Sequence, residues 1–262
     1  MTSVVNTKFA LKPVVAALAL ATAAGVAYAA PTPNQMPGAG QFMVGSLSSA
    51  LGVNGPAVPV GTTITGLVNG ARLDIGGKVV INWGVNSVVD PLNPHGFNLG
   101  SNATLYFGGA SGIGYNDPPA VLNVDVSGNP SQVYGNLIST AAGWVGCPGC
   151  TTAPAVFLAN ANGIVVGAGG RIVAPTGVGL IGANMDTTLA RNEFIGNNGW
   201  LASIPPLPPV VPTYGRSFIS FPDVTTTGNV SIAGAINGDA VLNVPAQYIL
   251  VAGNNLDVLN TG

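Results

Sequence analysis

The chain has 262 residues and a formal net charge of −2, with seven Lys or Arg and nine Asp or Glu. Charged residues make up 6%, where a soluble domain averages about 25%, and no basic cluster is present, which argues against nucleic acid or an anionic membrane surface as a partner. Apolar residues reach 47% against 38 Gly and 21 Pro, enough to offset ordering entropy and exclude a wholly disordered chain.

In chain order, Lys8 and Lys12 precede a short apolar run over 14–21, and Ala27-Tyr28-Ala29 follows ahead of Ala30-Pro31. A basic start, a short apolar stretch and a small-x-small site make residues 1–29 a secretory signal peptide, cut between Ala29 and Ala30. The run is short for a membrane span of ~20 residues, and Thr22 and Gly25 weaken it further. Residues 30–60, rich in Pro, Gly and Ser, read as a loosely structured lead-in or N-terminal cap.

From about residue 61 the chain changes to short β-branched runs, over 63–65, 78–83, 103–107, 120–126, 155–158, 163–166, 171–173, 229–232 and 248–251. Gly, Asn and Pro bound most of them and supply turn dihedrals. Only 184–194 has helical character, and weakly. The predicted class is therefore all-β. A sandwich or soluble barrel calls for charged outer faces, which are missing. An outer-membrane barrel calls for segments of about ten alternating residues and aromatic girdles, and aromatics are only 6%. Few charges, corner Gly and Asn, and short apolar strands favour a parallel β-helix, a solenoid over residues 61–262 in which Asn amides ladder from coil to coil. A coil of roughly 20–25 residues predicts about ten levels.

Export to an oxidising compartment sets the reading of Cys147 and Cys150. A redox-active pair at this spacing opens a helix, whereas Thr151-Thr152-Ala153-Pro154 is a poor helix start. A local disulfide pinning a loop tip is expected instead. Two Cys without a nearby His make no zinc site. The single His, His95, sits in Asn93-Pro94-His95-Gly96 and reads as a loop residue, with no Gly-x-Ser-x-Gly elbow to support a triad. Asp117, Asp125, Asp186 and Glu193 are the nearest thing to a glycosidase carboxylate set, but they are scattered without doublets. The Gly-rich 108–114 stretch lacks the Lys of a nucleotide loop. Trp83, Trp144 and Trp200 read as packing or rim residues. No catalytic residue, metal or cofactor is assigned.

Residues 78–190 resemble the N-terminal secretion domain of filamentous-haemagglutinin-like exoproteins of two-partner secretion (TPS) systems. Ile81-Asn82-Trp83 looks like the family's Ile-x-Trp strand, and Gly96-Phe97-Asn98-Leu99-Gly100 its Phe-Asn-Ile-Gly turn. Ala103 to Phe107 stands where a Val-x-Phe strand follows. Val121-Leu122-Asn123 resembles the Leu-Asn-Arg-Val segment, and the 128–137 stretch, with Pro130 and Ser131, its Pro-Ser segment. Val156-Phe157-Leu158, then Asn160-Ala161-Asn162-Gly163-Ile164 and Gly167, follow the Val-Phe-Leu-x-Asn-Pro-x-Gly-Ile-x-Phe-Gly signature in order. Gly179-Leu180-Ile181 and Asn184-Met185-Asp186 fit the segment after it. The chain departs from the pattern at Ala161 (usually Pro), Val166 (usually Phe) and Val124 (usually Arg). It also carries extra segments over 84–95, over 139–155 and in the Pro-rich 204–212 stretch.

The resemblance implies a right-handed parallel β-helix with short extra-helical strands and loop insertions. It implies passage by the general secretory machinery, then through an outer-membrane transporter whose periplasmic domains recognise this region. The product would be an adhesin-like exoprotein at the cell surface or outside a Gram-negative cell, meeting a receptor or glycan on a host or neighbouring cell. Asn98, Asn123, Pro130, Ser131, Asn160, Asn162, Gly163 and Ile164 carry the motif. For Asn160 and Asn162 two readings stand side by side: a turn read during secretion, and corner residues that hold the coil. A β-helical carbohydrate-active enzyme and a self-assembling layer or filament subunit are the alternatives. Coil-like sequence up to the last residues predicts that the solenoid continues in a longer protein or stacks on another subunit.

Overall fold

A computed structural model describes residues 29–49, 58–84, 96–109, 119–140, 153–196, 201–202, 218–219, 225–237 and 249–259. Residues 1–28, His95, Asp117, Trp144, Cys147, Cys150 and Trp200 lie outside them, so the signal peptide and the expected disulfide are not described.

The strands are β1 (Gly40–Ser49), β2 (Thr63–Ile64), β3 (Arg72–Trp83), β4 (Asn98–Leu99), β5 (Thr104–Gly109) and β6 (Ala120–Asp125). They continue with β7 (Ser131–Val133), β8 (Asn136–Thr140), β9 (Ala155–Ala159), β10 (Ile164–Val166), β11 (Arg171–Val173) and β12 (Val178–Ile181). Helix α1 (Thr188–Gly196) follows, then β13 (Leu201–Ala202), β14 (Phe218–Ile219), β15 (Val230–Ile232), β16 (Ala235–Asn237), β17 (Ile249–Ala252) and β18 (Leu256–Val258).

Most strands pair in parallel, in three stacks. One runs β5–β8–β11–β16, a second β6–β9–β12–β17, and a third β4–β7–β10–β15–β18. From β4 onward the chain visits the third, first and second stacks in turn. The insert holding α1 and the antiparallel pair β13–β14 interrupts this order after β12. The long strand β3 underlies two stacks at once, its first part pairing with β5 and its second with β6.

The segment read as a loosely structured lead-in or N-terminal cap contains the ten-residue strand β1, which runs antiparallel to β3 with three register shifts. Gly45 makes one of these possible: at φ 110, a Cβ there would lie 1.9 Å from the Lys78 carbonyl oxygen. Among the described residues, the third stack has five strands, where about ten levels were expected. Phe157 pairs with Gly179, 22 positions on, but Leu122 pairs with Phe157, 35 positions on, because segments are inserted between strands.

Two apolar clusters hold the stacks together. One includes Leu73, Val79, Trp83, Phe97, Leu105, Val133, Leu158, Ile172 and Leu180, drawn from all three stacks. The other lies on the opposite face of the second stack, where Val80, Leu122, Phe157 and Ile181 meet Ala190 and Phe194 of α1. The Phe157 and Phe194 rings meet edge to face at 5.6 Å. Strands β6, β9 and β12 are thus buried at every residue, as parallel strands covered on both faces are. Helix α1 starts later than the expected 184–194 because the turn before it is fixed by side chains. Asn184 Oδ1 accepts from the Asp186 N–H at 2.9 Å, and Thr187 Oγ1 caps the helix by accepting from the Ala190 N–H at 3.0 Å.

Candidate functional site

The motif residues gather where the second stack turns into the third. Asn160 follows β9 and is fully buried. Its Nδ2 donates to the Asn129 carbonyl at 2.8 Å and to Ser131 Oγ at 3.0 Å. Its Oδ1 accepts from the Asn162 N–H at 2.7 Å, an Asx-type turn that leads the chain into β10. The Gly163 N–H closes the turn onto the Asn160 carbonyl at 3.1 Å. Gly163 has φ 109, and a Cβ there would fall 2.7 Å from the Asn229 carbonyl oxygen of the next level, so only Gly fits.

One level down, Ser131 Oγ donates to Asp125 Oδ2 at 2.7 Å. The same oxygen accepts from the Phe97 N–H at 2.8 Å, and Oδ1 accepts from the Ser127 N–H at 3.0 Å. One buried carboxylate thus ties the Phe97 turn, the Ser127 bend and Ser131 together. Gly96 must approach it closely, since a Cβ there would lie 1.9 Å from Asp125 Oδ1. Asn98 joins beside it, its Oδ1 accepting from the Gln132 N–H at 2.8 Å. One level up, Asn229 Oδ1 accepts from Asn255 Nδ2 at 3.0 Å, and Thr227 Oγ1 donates to the Ala161 carbonyl at 2.9 Å.

Asn98, Pro130, Ser131, Asn160, Asn162, Gly163 and Ile164 therefore meet along one edge of the stacks. Asn123 does not. It lies inside the apolar interior, where Oδ1 accepts from Trp83 Nε1 at 2.9 Å and Nδ2 donates to the Phe157 carbonyl at 3.0 Å. Ala29 and Ala30, the expected cleavage pair, are exposed.

Sequence reading did not find the role of Asp125, which it grouped with the dispersed carboxylates. Both of its oxygens serve backbone and hydroxyl donors. Asp186 bonds Asn82 Nδ2 at 2.7 Å and pairs with Arg191 on α1. The described residues contain no group of three or more His, Cys, Asp and Glu suited to a metal. No described helix is long and apolar enough to cross a membrane. Chemically, the edge is a ladder of amides and hydroxyls whose inner members are saturated. Its outer members, Asn129, Asn162, Thr227, Asn229, Asn254 and Asn255, form an exposed, uncharged ridge of hydrogen-bonding groups.

No protein-family model and no curated protein matches this chain.

Proposed function

We propose that the chain is the N-terminal secretion domain of a filamentous-haemagglutinin-type exoprotein, adhesin-like in its final role, with its parallel stacks wound as a right-handed β-helix. The observation that carries this reading is the convergence of the motif segments. The Phe97-Asn98 turn, the Pro130-Ser131 segment and Asn160 to Ile164 lie far apart in sequence yet form successive levels of one hydrogen-bonded edge. The cyclic visit to three parallel stacks favours the β-helix.

A chain threaded through a narrow barrel transporter must be unfolded, and a charge content of 6% lowers the cost of its passage. Outside, each strand pairs with one about a coil away, so folding proceeds level on level. In the unfolded chain the Asn160 to Ile164 segment is free to be read by the periplasmic domains of the transporter. After release it becomes a corner. The carbohydrate-active alternative loses a carboxylate here, because Asp125 is held by three internal donors.

The test is export of the full chain from cells that carry or lack the partner transporter, scored as protein in the medium. Release that depends on the transporter, and that falls in Asn162→Ala while the unfolding midpoint stays unchanged, supports the reading. Equal release with and without the transporter overturns it.

A further inference from the structure

Gln132 sits in the middle of β7 and is only 7% exposed. Asn98, registered with it on β4, is buried too, whereas Val165, Ser231 and Asp257, in register on the other side, are half-buried or exposed. The difference lies in the N-terminal segment, which crosses this end of the stack. The Gly100 N–H donates to the Gln35 carbonyl at 2.9 Å, and the Asn102 N–H to the Pro33 carbonyl at 2.7 Å. The approach is close enough that a Cβ on Gly100 would fall 1.9 Å from the Thr32 carbonyl oxygen. At the start of the segment, Gln132 Nε2 donates to the carbonyl of Ala29 at 3.1 Å.

Ala29 is the last residue of the expected leader, so this bond ends on the peptide group that processing removes. Hydrolysis adds one water across the Ala29–Ala30 amide. The new carboxylate leaves with residues 1–29, and the amine stays on Ala30, protonated in about four molecules of five or more at neutral pH. Gln132 Nε2 then loses its acceptor just where a three-donor ammonium appears. A carboxamide carries a donor and an acceptor on one planar head, so turning it over places Oε1 where Nε2 stood.

We infer that Gln132 is the docking site of the α-ammonium of the processed chain: it holds the Ala29 carbonyl before cleavage and the Ala30 ammonium after it. The second contact is charge-assisted and stronger than the first, so removal of the leader fastens residues 30–36 over the end of the stack. This rests on the reading of residues 1–29 as a leader cut after Ala29.

The test compares thermal unfolding of the full chain made with its leader retained and of the exported, processed chain, each as wild type, Gln132→Glu and Gln132→Leu. Mass spectrometry of the processed protein fixes its terminus independently. A carboxylate attracts the ammonium but repels a carbonyl oxygen. Gln132→Glu is therefore expected to lower the midpoint of the leader-bearing chain further than that of the processed chain, by at least about 2–4 °C. Gln132→Leu should remove the increment that processing gives the wild type. Should one of these variants fail to fold, the other still decides the outcome. Equal shifts in the two forms, with the terminus at Ala30, overturn the docking site and leave the leader reading intact. A terminus elsewhere overturns both.

Discussion

Replacing Asp125 by Ala tests the edge ladder at its most connected point. The side chain is 4% exposed and accepts from the Phe97 N–H, the Ser127 N–H and the Ser131 hydroxyl at 2.8, 3.0 and 2.7 Å. Truncation leaves up to three donors facing a small void. A hydrogen bond to a charged acceptor is worth about 1.5–3 kcal/mol, and a buried donor left unpaired costs about 1–3 kcal/mol. Two features reduce the plain sum. The Ser131 hydroxyl can rotate, and Ser127, at a half-buried bend, can reach water. Phe97 is fully buried and stacked edge to face on Trp83 at 5.5 Å, so its N–H has no such escape. The expected loss is about 3–5 kcal/mol. Urea unfolding followed by Trp fluorescence measures it, with Ser131→Ala and the double variant completing a cycle. Ser131→Ala alone should cost about 1–2 kcal/mol, and the pair should be non-additive by at least about 0.5 kcal/mol because the two share a bond. A loss under about 1 kcal/mol for Asp125→Ala, or strict additivity, would refute the ladder as a source of stability.

Other substitutions probe separate contacts. Asn123→Ala strands the Trp83 indole N–H and the Phe157 carbonyl in the apolar interior, and should cost about 2–4 kcal/mol. Adding Trp83→Phe to it should cost less than Trp83→Phe alone, measured by urea unfolding. Gly163→Ala puts a Cβ 2.7 Å from the Asn229 carbonyl oxygen at φ 109. A loss of about 1–3 kcal/mol is expected, whereas Gly169→Ala, with open space around it, should lose only the φ penalty of about 1 kcal/mol. Phe194→Ala removes the ring that covers Phe157. It should cost about 3 kcal/mol and should speed proteolysis within 188–196 while cleavage of the stacked strands stays slow.

The runs 120–126, 155–158, 163–166 and 171–173 were legible as strands because β-branched residues stand between turn formers, and they match β6, β9, β10 and β11. Strand β1 was not, because Gly and Ser make up half of it; Gly45 is required there by the close approach of the Lys78 carbonyl. The first part of β3 was missed too, since Arg72 and Asp74 look like turn chemistry. They pair side by side instead, Nε to Oδ1 at 2.6 Å, two positions apart on one strand face. The edge was half legible. Asn160, Asn162 and Gly163 stand out through their resemblance to the family signature, but nothing local to Asp125 shows that one of its donors comes from Phe97, 28 positions earlier. Gln132 was equally silent, because its partner lies 103 positions away. Contacts that arise from stacking leave their trace in three dimensions, and only the turns that permit them show in the sequence.

The parallel, in-register stacking of strands across the α1 insert is the claim on which the rest depends. Val165 of β10 and Ser231 of β15 are registered partners whose side chains share a face, and a strand spacing of about 4.8 Å lies within the Cα separation that a disulfide spans. In a chain with Cys147 and Cys150 replaced by Ser, the Val165→Cys/Ser231→Cys variant should oxidise quantitatively in the folded state, read as a mobility shift without reductant. Val165→Cys/Ile232→Cys, whose second side chain points to the opposite face, should stay reduced. Oxidation of the second pair in preference to the first, or of neither, would contradict the stacked-coil account.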